Sequence, residues 1–130
     1  SLDIDGDGEV SSLTDGLMVM RYLIGTRGDA LINQALGADA TRREATEIDE
    51  WISAGLSHNL LDFDCDGQTS LLGDGLMLMR SLFGMRGEAV IKQAISTDSP
   101  LLDGYSLNHL NGEERRWVAH QVQERIDSLS

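Results

Sequence analysis

DIDGDGEVSSLTDG, running from Asp3 to Gly16, places carboxylates at its first, third, fifth and thirteenth positions: Asp3, Asp5, Asp7 and Asp15. DFDCDGQTSLLGDG, from Asp62 to Gly75, repeats the arrangement 59 residues later with Asp62, Asp64, Asp66 and Asp74. Gathering four carboxylates in one short loop is unfavourable by itself. Each like-charge pair at about 4–5 Å costs roughly 1 kcal/mol in a water-like dielectric, and roughly 4 kcal/mol at an effective dielectric near 20. A divalent cation reverses the sign of every such term. Glycine at the sixth position, Gly8 and Gly67, permits the sharp turn needed to wrap a chain around an ion.

All-oxygen ligation in a short loop suits Ca²⁺, which takes six to eight oxygen ligands. One ion per loop, two in all, is the expectation. Position seven supplies a backbone carbonyl (Glu9, Gln68), and position nine acts directly or through water (Ser11, Ser70). The twelve-residue EF-hand loop ends on a bidentate acid at position twelve. Here that position is Thr14 or Gly73, and the acid comes one residue later, as Asp15 or Asp74. Because the shift occurs in both loops, it reads as a one-residue insertion that keeps the ligand.

Residues 2–40 and 61–99 are identical at 22 of 39 aligned positions, so the chain is an internal duplication. Each unit reads as loop, helix, glycine turn and second helix. The first helices are expected over Leu13–Ile24 and its counterpart, with Leu13, Leu17, Met20 and Ile24 buried in one unit and Leu72, Leu76, Met79 and Phe83 in the other. Second helices are expected over Asp29–Leu36 and Glu88–Ile95. A third covers Glu44–Leu56, with Ile48, Trp51, Ile52 and Leu56 on one stripe. A last one covers Glu113–Leu129, with Trp117, Val118, Val122 and Ile126. An insertion of about seven residues lies between Asp98 and Asn111. Val10 and Thr69 are placed to form a minimal two-stranded bridge. The fold class is therefore all-α: duplicated EF-hand-like calcium loop–helix units with additional helices. One module spans residues 1–130, made of repeats at about 2–57 and 61–129.

Composition narrows the function. Hydrophobic residues make up 41%, enough for a core in 130 residues, and the net charge is −12. With no basic stripe to offset phosphate repulsion, nucleic acid is not an expected partner. No apolar run approaches the roughly 20 residues that span a bilayer, so membrane insertion is not expected. His58, His109 and His120 lack zinc-ligand spacing, and the lone Cys65 offers no intrachain disulfide. Neither a nucleophile motif nor a phosphate loop occurs, which points away from an enzyme. The Arg27-Gly28-Asp29 tripeptide reappears as Arg86-Gly87-Glu88, so its common feature is a glycine turn opening a helix. Five methionines (Met18, Met20, Met77, Met79 and Met85) read as core filler.

Taken together, Asp3, Asp5, Asp7, Gly8, Val10 and Ser11, with Asp62, Asp64, Asp66, Gly67 and Ser70, resemble the duplicated calcium loops of type I dockerin modules. Arg21 and Arg80 match a basic position of that family, and no helix is expected before the first loop within these residues. The resemblance implies a non-catalytic, calcium-stabilised module of a larger secreted bacterial protein, located outside the cell or at its surface. It also implies a protein partner, cohesin-like or another extracellular protein, met by the first helices and their loop ends. The other readings are a purely structural cap or spacer and a calcium sensor.

Overall fold

The computed structural model describes residues 1–129. The fold is all-α, with no strand or bridge among the described residues. The expected Val10–Thr69 bridge does not form. Six α-helices succeed one another: α1 (Leu17–Leu23), α2 (Asp29–Ile32), α3 (Ala45–Ser57), α4 (Leu76–Leu82), α5 (Glu88–Ile91) and α6 (Gly112–Asp127). A five-residue π turn opens α1 at Ser12–Gly16 and another opens α4 at Leu71–Gly75. The inserted stretch of the second half carries two 3₁₀ turns, Pro100–Leu102 and Leu107–His109. No helix is long and apolar enough to cross a membrane among the described residues.

Local chemistry sets these boundaries. Asn111 Oδ1 accepts the Glu114 N–H at 2.8 Å while Glu114 Oε1 accepts the Asn111 N–H at 2.9 Å, a reciprocal cap that starts α6. Gly28 and Gly87 adopt φ of 69° and 67° just before α2 and α5, a left-handed backbone that glycine tolerates without a Cβ clash. The adjoining arginines close the same turn in both halves. Arg27 Nη1 donates to the Tyr22 and Thr26 carbonyls, and Arg86 Nη1 to those of Ser81 and Met85. The shared tripeptide is thus a structural turn.

The second helices stop after one turn rather than running to Leu36 and Ile95. Asn33 and Lys92 leave the helical region, and Gln34 and Gln93 sit at φ 55° and 58°. Arginines from the first helices satisfy the carbonyls exposed at these ends. Arg21 Nη1 donates to Leu31 O (3.2 Å) and Asn33 O (2.7 Å), and Arg80 Nη1 to Val90 O (3.1 Å) and Lys92 O (2.7 Å).

The buried face of the first helices differs from the expected one. Met18 and Val19, with Met77 and Leu78, are fully buried. Leu13 is 68% exposed, Leu72 74%, Ile24 62% and Phe83 61%. Leu13 and Leu72 fall within the wide π turn, which shifts the helical phase; Ile24 and Phe83 are the residues that cap the helices. In α3 the core contact is made by Ile48 and Ile52, while Trp51 stays partly exposed under the Arg42 guanidinium. Trp117, expected on the buried stripe of α6, is also exposed; Val118, Val122 and Ile126 are buried as expected.

The two halves meet in a reciprocal contact. A Cβ on Gly16 would lie 2.6 Å from Met79 Sδ and 3.0 Å from Leu82 Cδ1. One on Gly75 would lie 2.8 Å from Met20 Sδ and 3.2 Å from Leu23 Cδ1. Each first helix therefore lays a methionine and a leucine on the glycine that ends the other half's π turn. This is the self-complementary geometry of a two-fold dimer, built within one chain. The chain ends also meet: the Leu2 N–H donates to Leu129 O at 2.7 Å.

Candidate metal centre

In each half four aspartates converge. Asp3, Asp5, Asp7 and Asp15 each offer a carboxylate oxygen within 4.8 Å of the others, and so do Asp62, Asp64, Asp66 and Asp74. The thirteenth-position acid arrives through the π turn. The Gly16 N–H reaches five residues back to Ser11 O (3.0 Å), and the Gly75 N–H to Ser70 O (2.9 Å). This turn holds one residue more than an α-helical turn, and it brings Asp15 and Asp74 into the clusters.

Backbone amides hold the carboxylates in matching ways. Asp3 Oδ1 and Oδ2 accept from the Asp7 and Gly8 N–H groups; Asp62 does the same with Asp66 and Gly67. The position-six glycines have φ of 93° and 87°, which aims their amides back at the first aspartate. Asp15 Oδ1 accepts the Ile4 N–H (2.6 Å) and Oδ2 the Ser11 N–H (2.9 Å). Asp74 accepts from Phe63 (2.8 Å) and Ser70 (3.0 Å) in the same sense. The fourth aspartate thus ties the start of each loop to its end.

Two donors lie outside the loops and were not singled out from the sequence. The Gly37 N–H donates to Asp5 Oδ2 at 2.6 Å, and the Ser96 N–H to Asp64 Oδ2 at 2.8 Å. Both come after the truncated second helix, whose early stop turns the chain back onto the cluster. A backbone amide leaves no mark in composition, so Ser96 gave no signal. Gly37 did carry one, its lack of a side chain: a Cβ there would collide with Asp7 Oδ2.

Other predicted positions sit at the margin. Glu9 and Gln68 are exposed, as suits residues expected to act only through their carbonyls. The Ser11 hydroxyl bonds the Thr14 hydroxyl at 2.5 Å, and the Ser70 hydroxyl accepts the Gly73 N–H at 3.1 Å, so both engage the start of the adjoining helix.

Burial sets the electrostatics. Asp5, Asp15, Asp64 and Asp74 are at most 1% exposed. Burial pushes the Asp64 carboxyl up to about 7; the Ser96 amide opposes this, and the Asp74 and Asp66 charges add to it. Asp74 is pushed up to about 6, again by burial first. Burial also raises Asp5 and Asp15, with help from neighbouring carboxylates. Each cluster therefore contains two buried carboxylates, Asp5 and Asp15 or Asp64 and Asp74, whose ionised form is disfavoured without a cation, and either group of four could hold a metal ion. The donor set is wholly carboxylate, which fits a hard cation better than a soft one.

The chain matches no protein-family model, and neither the curated proteins nor the solved structures contain a match.

Proposed function

We propose that this chain is a non-catalytic calcium-binding module, dockerin-like in organisation, in which two EF-hand-like loop–helix units each take one Ca²⁺ and the ions stabilise the fold. The observation carrying this reading is the repetition of four converging aspartates in the same backbone setting 59 residues apart. Asp3, Asp5, Asp7 and Asp15 would hold one ion and Asp62, Asp64, Asp66 and Asp74 the other. The metal would supply positive charge to buried carboxylates, not reactivity. Extracellular calcium modules bind in the range of about 10⁻⁴–10⁻³ M, the range expected of this chain if it is part of a larger secreted bacterial protein.

The interaction surface we assign is the outer side of the first helices. Leu13 and Leu72 at their starts, with Ile24 and Phe83 at their ends, are large apolar side chains left in solvent at equivalent positions of the two halves. A protein partner, cohesin-like or otherwise, would bury them. One observation favours the purely structural alternative: Arg21 and Arg80, at the family's basic position, are already engaged by carbonyls of their own halves.

Calcium titration by calorimetry tests the metal reading. Two bound ions, with loss of both in a chain carrying Asp3→Ala and Asp62→Ala, is the expected result. No heat at millimolar calcium, with melting unchanged by chelator, overturns it. For the docking reading, a calcium-loaded chain carrying Leu13→Ser and Leu72→Ser should lose a partner that the parent retains.

A further inference from the structure

The tyrosines and tryptophans of this chain fall into two pairs. Tyr22 is covered by Arg27, whose guanidinium carbon lies 3.5 Å from the ring centroid, and Trp51 by Arg42 at 3.7 Å. The remaining two of its four tyrosines and tryptophans, Tyr105 and Trp117, are 60% and 54% exposed. No cation of the chain lies over either ring among the described residues. Both line one cleft of about 360 Å³ between the inserted segment and α6. That volume falls within the usual range for small-ligand sites, about 300–1,000 Å³.

The cleft has an apolar floor that includes Leu102 and Val118, both buried, and an acidic rim of Asp103, Glu113 and Glu114. Glu114 is committed to capping α6, whereas Asp103 and Glu113 make no ion pair among the described residues. No basic residue lines the cleft. Arg115, next along the helix, is engaged by Glu88 and by the carbonyl of Leu110.

We propose that this cleft receives an arginine side chain from a partner protein. A guanidinium stacks on aromatic faces and pairs with carboxylates, and its three-carbon stem covers apolar surface. These are the three kinds of surface brought together here, and they are satisfied elsewhere in the chain by its own arginines. The net charge of −12 attracts a basic segment over a longer range. The first half has no counterpart to the inserted segment, so this site occurs once. The reading is independent of what the aspartate clusters bind.

The test tracks the two indole N–H resonances of the calcium-loaded chain during titration with the capped peptide acetyl-Gly-Arg-Gly-amide. Its citrulline analogue serves as the neutral isostere. The Trp117 signal should shift and saturate while that of Trp51 stays still, and citrulline should bind weaker by about 5-fold. Added salt should weaken the arginine peptide, and the paired change Asp103→Asn with Glu113→Gln should remove most of that salt dependence. Equal binding of the two peptides would reduce the cleft to an apolar depression and overturn the proposal. So would movement of Trp51 in place of Trp117, or a Trp117 shift with the neutral sugar cellobiose but none with arginine. Because Trp117 is exposed, Trp117→Phe gives a folded control; it lacks the indole signal, so its binding is followed by calorimetry and should persist at reduced strength.

Discussion

The two loops hold their aspartates almost identically, yet the chain closes over them by different means. In the first half Arg42 is the clamp. Its Nε donates to Ile4 O at 2.8 Å and its Nη2 to Asp3 O at 2.7 Å, while its guanidinium stacks on Trp51. The Thr41 and Arg42 amides both donate to Asp5 O. In the second half the Ser99 hydroxyl alone takes the Asp64 carbonyl, and the chain then enters the inserted 3₁₀ turns. At loop position four Gly6 faces Cys65, which holds a left-handed φ of 61° without being glycine. Gly6 has no such freedom to change, since a Cβ there would collide with Thr41 Oγ1. What the halves share is therefore the carboxylate geometry and its amide donors. The outer clamp, which does not touch the carboxylates, is free to differ.

Calcium withdrawal should produce the largest effect and act on both halves alike. Filling a site to 100 times its dissociation constant adds about 2.7 kcal/mol, so chelation should lower the melting temperature strongly and single-site variants about half as much. Asp15→Asn and Asp74→Asn should each silence only their own site, measured by calorimetric stoichiometry. The metal-free chain should also respond to pH in an unusual direction. Asp64, raised from 3.8 to about 7, holds its proton in the folded state after the unfolded chain has released it. Folded-state stability without metal therefore falls as pH rises from about 4 to 7. With calcium, deprotonation favours binding and the trend reverses. Thermal melts at pH 5 and pH 8, with and without chelator, check both signs.

Removing the clamps should separate the halves. Arg42→Ala loses two hydrogen bonds and a stacking contact, an expected cost of about 2–3 kcal/mol. Ser99→Ala loses one bond to the loop and one to the 3₁₀ turn, about 1–2 kcal/mol. Denaturant melts read the two values, and equal losses would mean that the clamps are equivalent after all. Gly16→Ala and Gly75→Ala should each cost about 1–3 kcal/mol, and by similar amounts, because each added methyl meets a methionine that must move. A large difference between them would break the internal two-fold relation. The smallest effect is expected on the outer face. Leu13→Ser and Leu72→Ser should each change stability by no more than about 0.5 kcal/mol, against about 2–5 kcal/mol for Met18→Ala.

The convergence of the aspartates was legible because it follows a repeated spacing: carboxylates at fixed intervals and a glycine at the turn leave little choice of backbone. The all-α class and the extents of α3 and α6 were legible for a similar reason, each being a long amphipathic run with its own cap. Failure came at Leu13, Ile24, Leu72 and Phe83. Helical periodicity supplies the period but not the phase, and the π turn that admits Asp15 and Asp74 also rotates the helix it opens. Early arrest of α2 and α5 was hidden too, since Gln34 and Gln93 do not announce a left-handed backbone. The amides of Gly37 and Ser96 depend on that arrest. They complete the aspartate clusters from residues that no ligand pattern would single out.

Pairing of Leu2 with Leu129 brings the two ends of the described residues to one corner of the molecule. Any polypeptide joined to both ends would leave from that corner, so the domain would hang as a pendant beside a linker instead of standing in line with it. Tension between the ends would load that hydrogen bond and, one residue on, Asp3 of the first aspartate loop, before it reached the second loop. By the same proximity, a short bridge from Leu129 to Ser1 with a new break in the exposed turn near Gly104 should yield a circular permutant that still folds.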